Sequence, residues 1–136
     1  MSSIDKDLLM HGLMGWMSSM INIQHLNAEK TMCSITMPIF MADGDSIEVY
    51  IEQDKNENGF ILSDDGETFG VHIGKYGCKP LEGKKKEKIA KRLHTSNCDF
   101  DGETISMRVR SEEDLPRMIF CFAHTISVLT HEETHY

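Results

Sequence analysis

The chain is predicted to be a single α+β domain, residues 1–136, built on a five-stranded antiparallel sheet. Three observations carry this. Ser46–Ile51 alternates with period two, Ile47, Val49 and Ile51 to one side and Ser46, Glu48 and Tyr50 to the other, as a half-buried strand requires. Asp43-Gly44, Asn58-Gly59 and Asp101-Gly102 supply residues that tolerate positive φ, so each reads as a hairpin turn. Both ends of the chain carry apolar residues at helical spacing instead.

The elements follow in order. Ser3 is placed to cap a helix over Ile4–Ile21, with Asp5 and Asp7 at the positive end of its dipole. Leu9, Leu13, Trp16, Met17 and Met20 form its stripe, and Gly12 and Gly15 are expected to let it approach the sheet closely. Thr31–Thr36 is the first strand, ended or edged by Pro38, which cannot donate to a ladder. Ser46–Ile51 and Gly59–Leu62 complete a meander. A short helix is expected over Glu67–Tyr76, with Phe69 and Ile73 inward and Gly77 as its stop. A basic helix spans Leu81–His94, with Ile89 and Leu93 on its apolar side. Asn97–Phe100 and Glu103–Arg110 form a second hairpin. Ser111 and Asp114 then open a closing amphipathic helix, Glu112–Leu129, with the stripe Leu115, Met118, Ile119, Phe122, Ile126 and Leu129.

Charge is unevenly placed. Residues 41–68 hold nine acidic side chains and one base, Lys55, and so account for the whole net charge of −8. Lys79–Arg92 holds seven bases against Glu82 and Glu87. An acidic molecule repels nucleic acid and anionic membranes and attracts basic protein surfaces. No secretory signal is read at Met1–Asp7, and the longest apolar run, Met118–Ala123, is too short to span a bilayer, so a cytoplasmic protein is expected. Cys33, Cys78, Cys98 and Cys121 are too widely spaced for a zinc knuckle and read as reduced core thiols. The ten methionines read as core filling.

The central meander resembles a family of bacterial and phage proteins known as domain of unknown function 1828. Thr36-Met37-Pro38-Ile39-Phe40 is similar to that family's T-P-F turn, with one extra residue between Thr36 and Pro38. Gly44-Asp45 follows, and Ser63-Asp64-Asp65-Gly66-Glu67-Thr68 matches its S/T-D-D-G-x-T run, with Gly77 after a short helix. The likeness covers about Ala28–Leu129. It implies a phage, prophage or mobile-element context and assigns no catalytic role.

Three constellations bear on chemistry. His131-Glu132-Glu133-Thr134-His135 fits H-E-x-x-H, but the downstream third zinc ligand is missing before Tyr136, so a solvated helix end is expected, its histidines facing the negative pole. Asp45, Asp64 and Asp65 would suit a divalent metal if they converged, but Asp before Gly is ordinary turn chemistry. The run Gly83–Lys88 lacks the aromatic residues or glycine nest of a phosphate site and reads as a solvated helix face. His124, near the last stripe, reads as a core histidine.

The expected function is non-enzymatic. The chain would act as an acidic binding protein of a phage or mobile element that occupies a basic surface on a host protein, in the manner of an anti-CRISPR acting on a nucleic-acid-guided defence complex. The residues assigned to that partner are Asp45, Glu48, Glu52, Asp54, Glu57, Asp64 and Asp65. No catalytic residue, metal, cofactor, nucleic acid or membrane is expected. The alternative is a small metal-dependent enzyme or ligand-binding domain using Asp45, Asp64 and Asp65. Met14 and Phe120, the latter about 100° around its helix from Ile119, mark an expected homodimer surface.

Overall fold

A computed structural model describes residues 3–69 and 81–133. In order, these residues form α1 (Lys6–Met20), β1 (Asn22–His25), β2 (Met32–Phe40), β3 (Ser46–Gln53), β4 (Phe60–Ser63), α2 (Gly83–His94), β5 (Asp99–Phe100), β6 (Ile105–Val109) and α3 (Leu115–Glu133). The strands make one antiparallel sheet in the order β1-β2-β3-β4-β6-β5. The α+β class therefore holds, with six strands rather than five.

The added strand is β1. It carries a single strong β-former, Ile23, and all four of its residues are exposed, so no alternation marks it in the sequence. Asn27 fixes the β1–β2 turn: its Oδ1 accepts from the amides of Thr31 (3.0 Å) and Met32 (3.3 Å), and its Nδ2 donates to Thr31 Oγ1 (2.7 Å). Pro38 does not end β2. It lies inside, where the pairing with β3 shifts between Met37 and Phe40, as a missing N–H at a bulge permits.

The other turns form as the residue types dictate. Gly44 has φ +91, and Asp43 Oδ1 accepts from the Asp45 amide at 2.9 Å. Gly59 closes the β3–β4 hairpin with φ +154, and a Cβ there would stand 2.5 Å from the Val109 carbonyl oxygen. Ser111 caps the turn Glu112–Asp114, and its hydroxyl donates back to Asp114 Oδ2 at 3.0 Å.

One face of the sheet packs on α3. Ile47, Val49, Leu62, Ile105 and Met107 meet Ile119, Phe122, Ala123, Ile126 and Leu129, all buried. Two side chains of α3 tie it to the end of β2: Ser127 Oγ donates to the Phe40 carbonyl (2.5 Å), and Thr130 Oγ1 accepts from the Ala42 amide (3.1 Å). α2 packs beside β5 through Ile89 and Leu93.

α1 departs from expectation. Asp5, not Ser3, is its N-cap, accepting from the Leu8 amide at 3.1 Å. None of its residues is buried, and a Cβ on Gly12 or Gly15 would meet nothing within 4 Å. The stripe read as a core face is thus largely left in solvent: Leu9, Leu13 and Trp16 are exposed, while Met17 and Met20, near β2, are half-buried. His124 and Cys121 are exposed on α3 rather than buried, while Cys98 is buried as expected and Cys33 partly so. The helix expected over Glu67–Tyr76 lies mostly outside the described residues, as do Ile73, Gly77 and Cys78. Phe69, at its start, is buried with its ring 5.1 Å from that of Phe100. Among the described residues no helix is long and apolar enough to cross a membrane.

Candidate functional site

The face of the sheet opposite α3 carries the polar halves of the alternating strands. The register sets Glu48, Tyr50 and Glu52 of β3 beside Thr36, Ser34 and Met32 of β2, and sets Tyr50 and Glu52 beside Ser63 and Ile61 of β4. Tyr50 is the centre of this face. Its hydroxyl donates to Glu67 Oε1 at 2.8 Å and lies 3.4 Å from Glu48 Oε2. Burial raises its pKa far above the ordinary phenol range; the Glu67 hydrogen bond and the charges of Glu67, Glu48 and Asp65 add to the effect. The phenol is therefore a fixed donor held among carboxylates.

Beside Tyr50 lies a concavity of about 170 Å³, lined by Leu26, Met32, Tyr50, Glu52, Ile61 and Asp65. Leu26 and Met32 are 47% and 37% exposed. At ~30 Å³ per water, the space holds on the order of five waters or one long side chain. Its floor is apolar and its rim carries Glu52 and Asp65. That suits a lysine or arginine, whose stem wants apolar contact while its head wants carboxylate.

The sequence-assigned residues divide between several places. Glu48, Glu52 and Asp65 gather around Tyr50. Asp54 and Glu57 stand at the β3–β4 hairpin, where Arg108 Nη1 bridges both, at 2.7 Å and 3.5 Å. They border a larger hollow of about 420 Å³ that also holds Arg110, Asp99 and Asp114, so its charge is mixed. Asp45 lies exposed in the β2–β3 turn.

Asp64 is corrected from partner residue to framework. It is 2% exposed, and its carboxylate accepts from the amides of Ile105 (2.9 Å), Gly66 (3.0 Å) and Thr68 (3.3 Å). Burial raises its pKa, and the hydrogen bonds it accepts oppose the shift. The three aspartates do not converge. Asp64 follows Ser63, which pairs with Tyr50, so Asp45 lies about four residues further along β3, on the order of 13 Å at ~3.3 Å per residue. Among the described residues, no group of three or more His, Cys, Asp or Glu side chains is placed to hold a metal.

The described part of the H-E-x-x-H run is a surface helix end, with His131 and Glu132 exposed, and its acids also reach α2. Glu132 takes a bidentate pair from Arg92 of α2, at 2.6 and 2.7 Å, and Glu133 is 3.0 Å from Lys85 Nζ. His131 Nδ1–H donates to the Ser127 carbonyl at 2.8 Å. His135 lies outside the described residues. The run joins α3 to α2, and two bases of Gly83–Arg92 are spent on that joint. Met14 is 64% exposed on α1 and Phe120 is 38% exposed on α3.

Sequence reasoning missed Tyr50 and Glu67. Both signals were present: Tyr50 shares a strand face with Glu48 and Glu52, and Glu67 follows the S-D-D-G turn that returns the chain to that face. The profile of the family described as domain of unknown function DUF1828 matches residues 37–128, and the chain belongs to that family. The matched stretch begins within β2, after α1 and β1. No curated protein and no solved structure matches the chain.

Proposed function

We propose that this member of the family works by binding rather than catalysis, holding a basic protein surface against the outer face of its sheet. One observation carries the reading: Tyr50, bonded to Glu48 and Glu67, lines with Glu52 and Asp65 a largely apolar concavity sized for one long side chain. A lysine or arginine entering it lays its stem on Leu26, Met32 and Ile61 and meets two carboxylates at the rim, with the Tyr50 ring beside it. The partner that presents such side chains in number is a protein whose basic groove ordinarily holds nucleic acid. A nucleic-acid-guided defence complex of a host cell is one such partner, and the protein would inhibit it by occupying the groove.

The test uses an arginine-rich peptide as probe, titrated by calorimetry at 50 mM salt. Saturable binding is expected, weakened at least tenfold by Glu52→Lys with Asp65→Lys and by Tyr50→Ala. Charge reversal that leaves binding unchanged would sink the proposal, as would failure of the peptide to bind at millimolar concentration. Circular dichroism of each variant separates loss of the site from loss of the fold.

A further inference from the structure

α2 buries Ile89 and Leu93, and α3 buries six residues; α1, fifteen residues long, buries none. At about 100° per residue, Trp16, Leu9, Leu13, Met17, Met10 and Met14 fall within an arc of about 160°. Leu9, Met10, Leu13 and Trp16 are each 51–53% exposed and Met14 is 64% exposed. A helix of this pattern buries its arc against something.

A matching surface lies at the other end of the same limb. Ile23 of β1 pairs with Ile35 of β2, on the face that α3 covers. Ile35 is 7% exposed, but Ile23 is 60% exposed, because α3 does not reach the β1 edge. Between β1 and the start of α3 runs a groove of about 320 Å³, whose lining includes apolar Ile23, Cys33, Leu115 and Ile119 along with Lys30 and Glu112. α1 does not turn back to fill it. Only Ile21 separates α1 from β1, and Ile21 is extended (φ −86, ψ 126). Helix–strand connections that reverse the chain take about two to six residues.

We infer that the occupant is a second copy of this chain: the protein is a two-fold dimer in which α1 of each copy lies in the β1–α3 groove of the other. The area fits. The exposed fractions of Leu9, Met10, Leu13, Met14, Trp16 and Ile23 amount to little over three whole side chains. At roughly 200 Å² each that is about 650 Å² per copy and ~1,300 Å² for the pair, within the range of stable interfaces. The charge fits as well. Residues 6–25 carry only Lys6 and Asp7 as formal charges, so the limb can meet its copy although the whole chain stands at −8. A helix lying on a membrane would carry a row of Lys or Arg on its polar side. Here that side carries Asp7, His11, Ser18 and Ser19. The exchange is isologous and closes on itself. The groove shares strands β2 to β4 with the acidic face, and Met32 lines both hollows, but neither Leu13 nor Ile23 lines the Tyr50 concavity.

Trp16 is the sole tryptophan and sits on the arc, so its emission reports the interface directly. Sedimentation of the full chain at micromolar concentration should give twice the 15.5 kDa chain mass, with blue Trp16 emission that shifts red on dilution. Leu13→Glu and Ile23→Lys, one on each side of the contact, should each give a monomer with unchanged far-ultraviolet dichroism and red emission. Three results would overturn the inference. They are a monomer throughout, a dimer that survives both variants but yields to Phe120→Glu, and a monomer whose Trp16 turns blue only on anionic vesicles.

Discussion

Asp64 accepts three amide hydrogens from two separate segments, so its removal leaves buried donors without acceptors. Asp64→Ala should therefore cost about 3 kcal/mol in urea denaturation. Asp64→Asn keeps one acceptor oxygen but sets an NH2 against the Thr68 amide, and should cost about 1–2 kcal/mol. The pH dependence has a definite sign. Burial raises the folded-state pKa above the ordinary 3.8, so the folded state binds this proton more tightly than the unfolded chain. The contribution of this group is present below 3.8 and is lost as pH rises through the folded value. The stability gap between the parent and Asp64→Asn should narrow as pH rises from 4 toward neutrality; a gap that widens would contradict this origin. Tyr50→Phe removes the donor to Glu67 on a half-exposed face and should cost about 1 kcal/mol, while leaving the sheet intact. That Asp64 belongs to the fold was half legible: Asp before a turn is ordinary chemistry. Its link to Ile105, 41 residues away, was not, because only tertiary pairing brings β6 beside β4.

At the level of elements, strands with one buried face were readable and strands without one were not. Ile47, Val49 and Ile51 announce β3 because their outward neighbours are polar, whereas β1 has no buried residue to set a period. The stripe on α1 was readable as apolar, but a sequence pattern states that a face is to be buried, not in which molecule. The α2–α3 joint was masked in another way. Glu132 fitted a zinc motif and Arg92 counted only as one base of a basic helix, and their pairing depends on how two helices separated by the second hairpin come together. Both partners are partly exposed, so Arg92→Ala should cost only about 0.5 kcal/mol. Its cost should shrink in 1 M salt, and shrink again as pH falls through the depressed pKa that Arg92 gives Glu132. Gly59→Ala is a harsher change. It adds a Cβ 2.5 Å from a backbone oxygen at a φ that side chains disfavour, and should lower stability by at least about 2 kcal/mol. Thermal denaturation of the two variants side by side would show whether hairpin geometry outweighs an exposed ion pair.

Over the whole molecule, net charge and local site act at different stages of binding. The −8 resides in residues 41–68, while bases cluster on α2, so a basic partner meets a field before it meets Tyr50. Arg108 pairs with Asp54 and Glu57, and the β2–β3 turn and the Tyr50 surround add further acidic groups to that field. Asp43 and Asp45 stand in that turn, about five residues along β3 from Tyr50. At that separation, on the order of 15 Å, contact with a bound side chain is out of reach, yet the distance is comparable to the Debye length of ~10 Å at 0.1 M salt. Replacing both by Asn should therefore lower the association rate for an arginine-rich peptide about two- to threefold and leave the dissociation rate unchanged. Tyr50→Ala should do the reverse, raising the dissociation rate while association holds. Raising salt from 50 to 500 mM should slow association of the parent about tenfold and nearly erase the effect of the Asp43 and Asp45 changes. Stopped-flow fluorescence at several salt concentrations separates the two rates. A salt-independent association rate, or an Asp43 and Asp45 effect confined to dissociation, would show that the acidic surface acts by contact alone and not by steering.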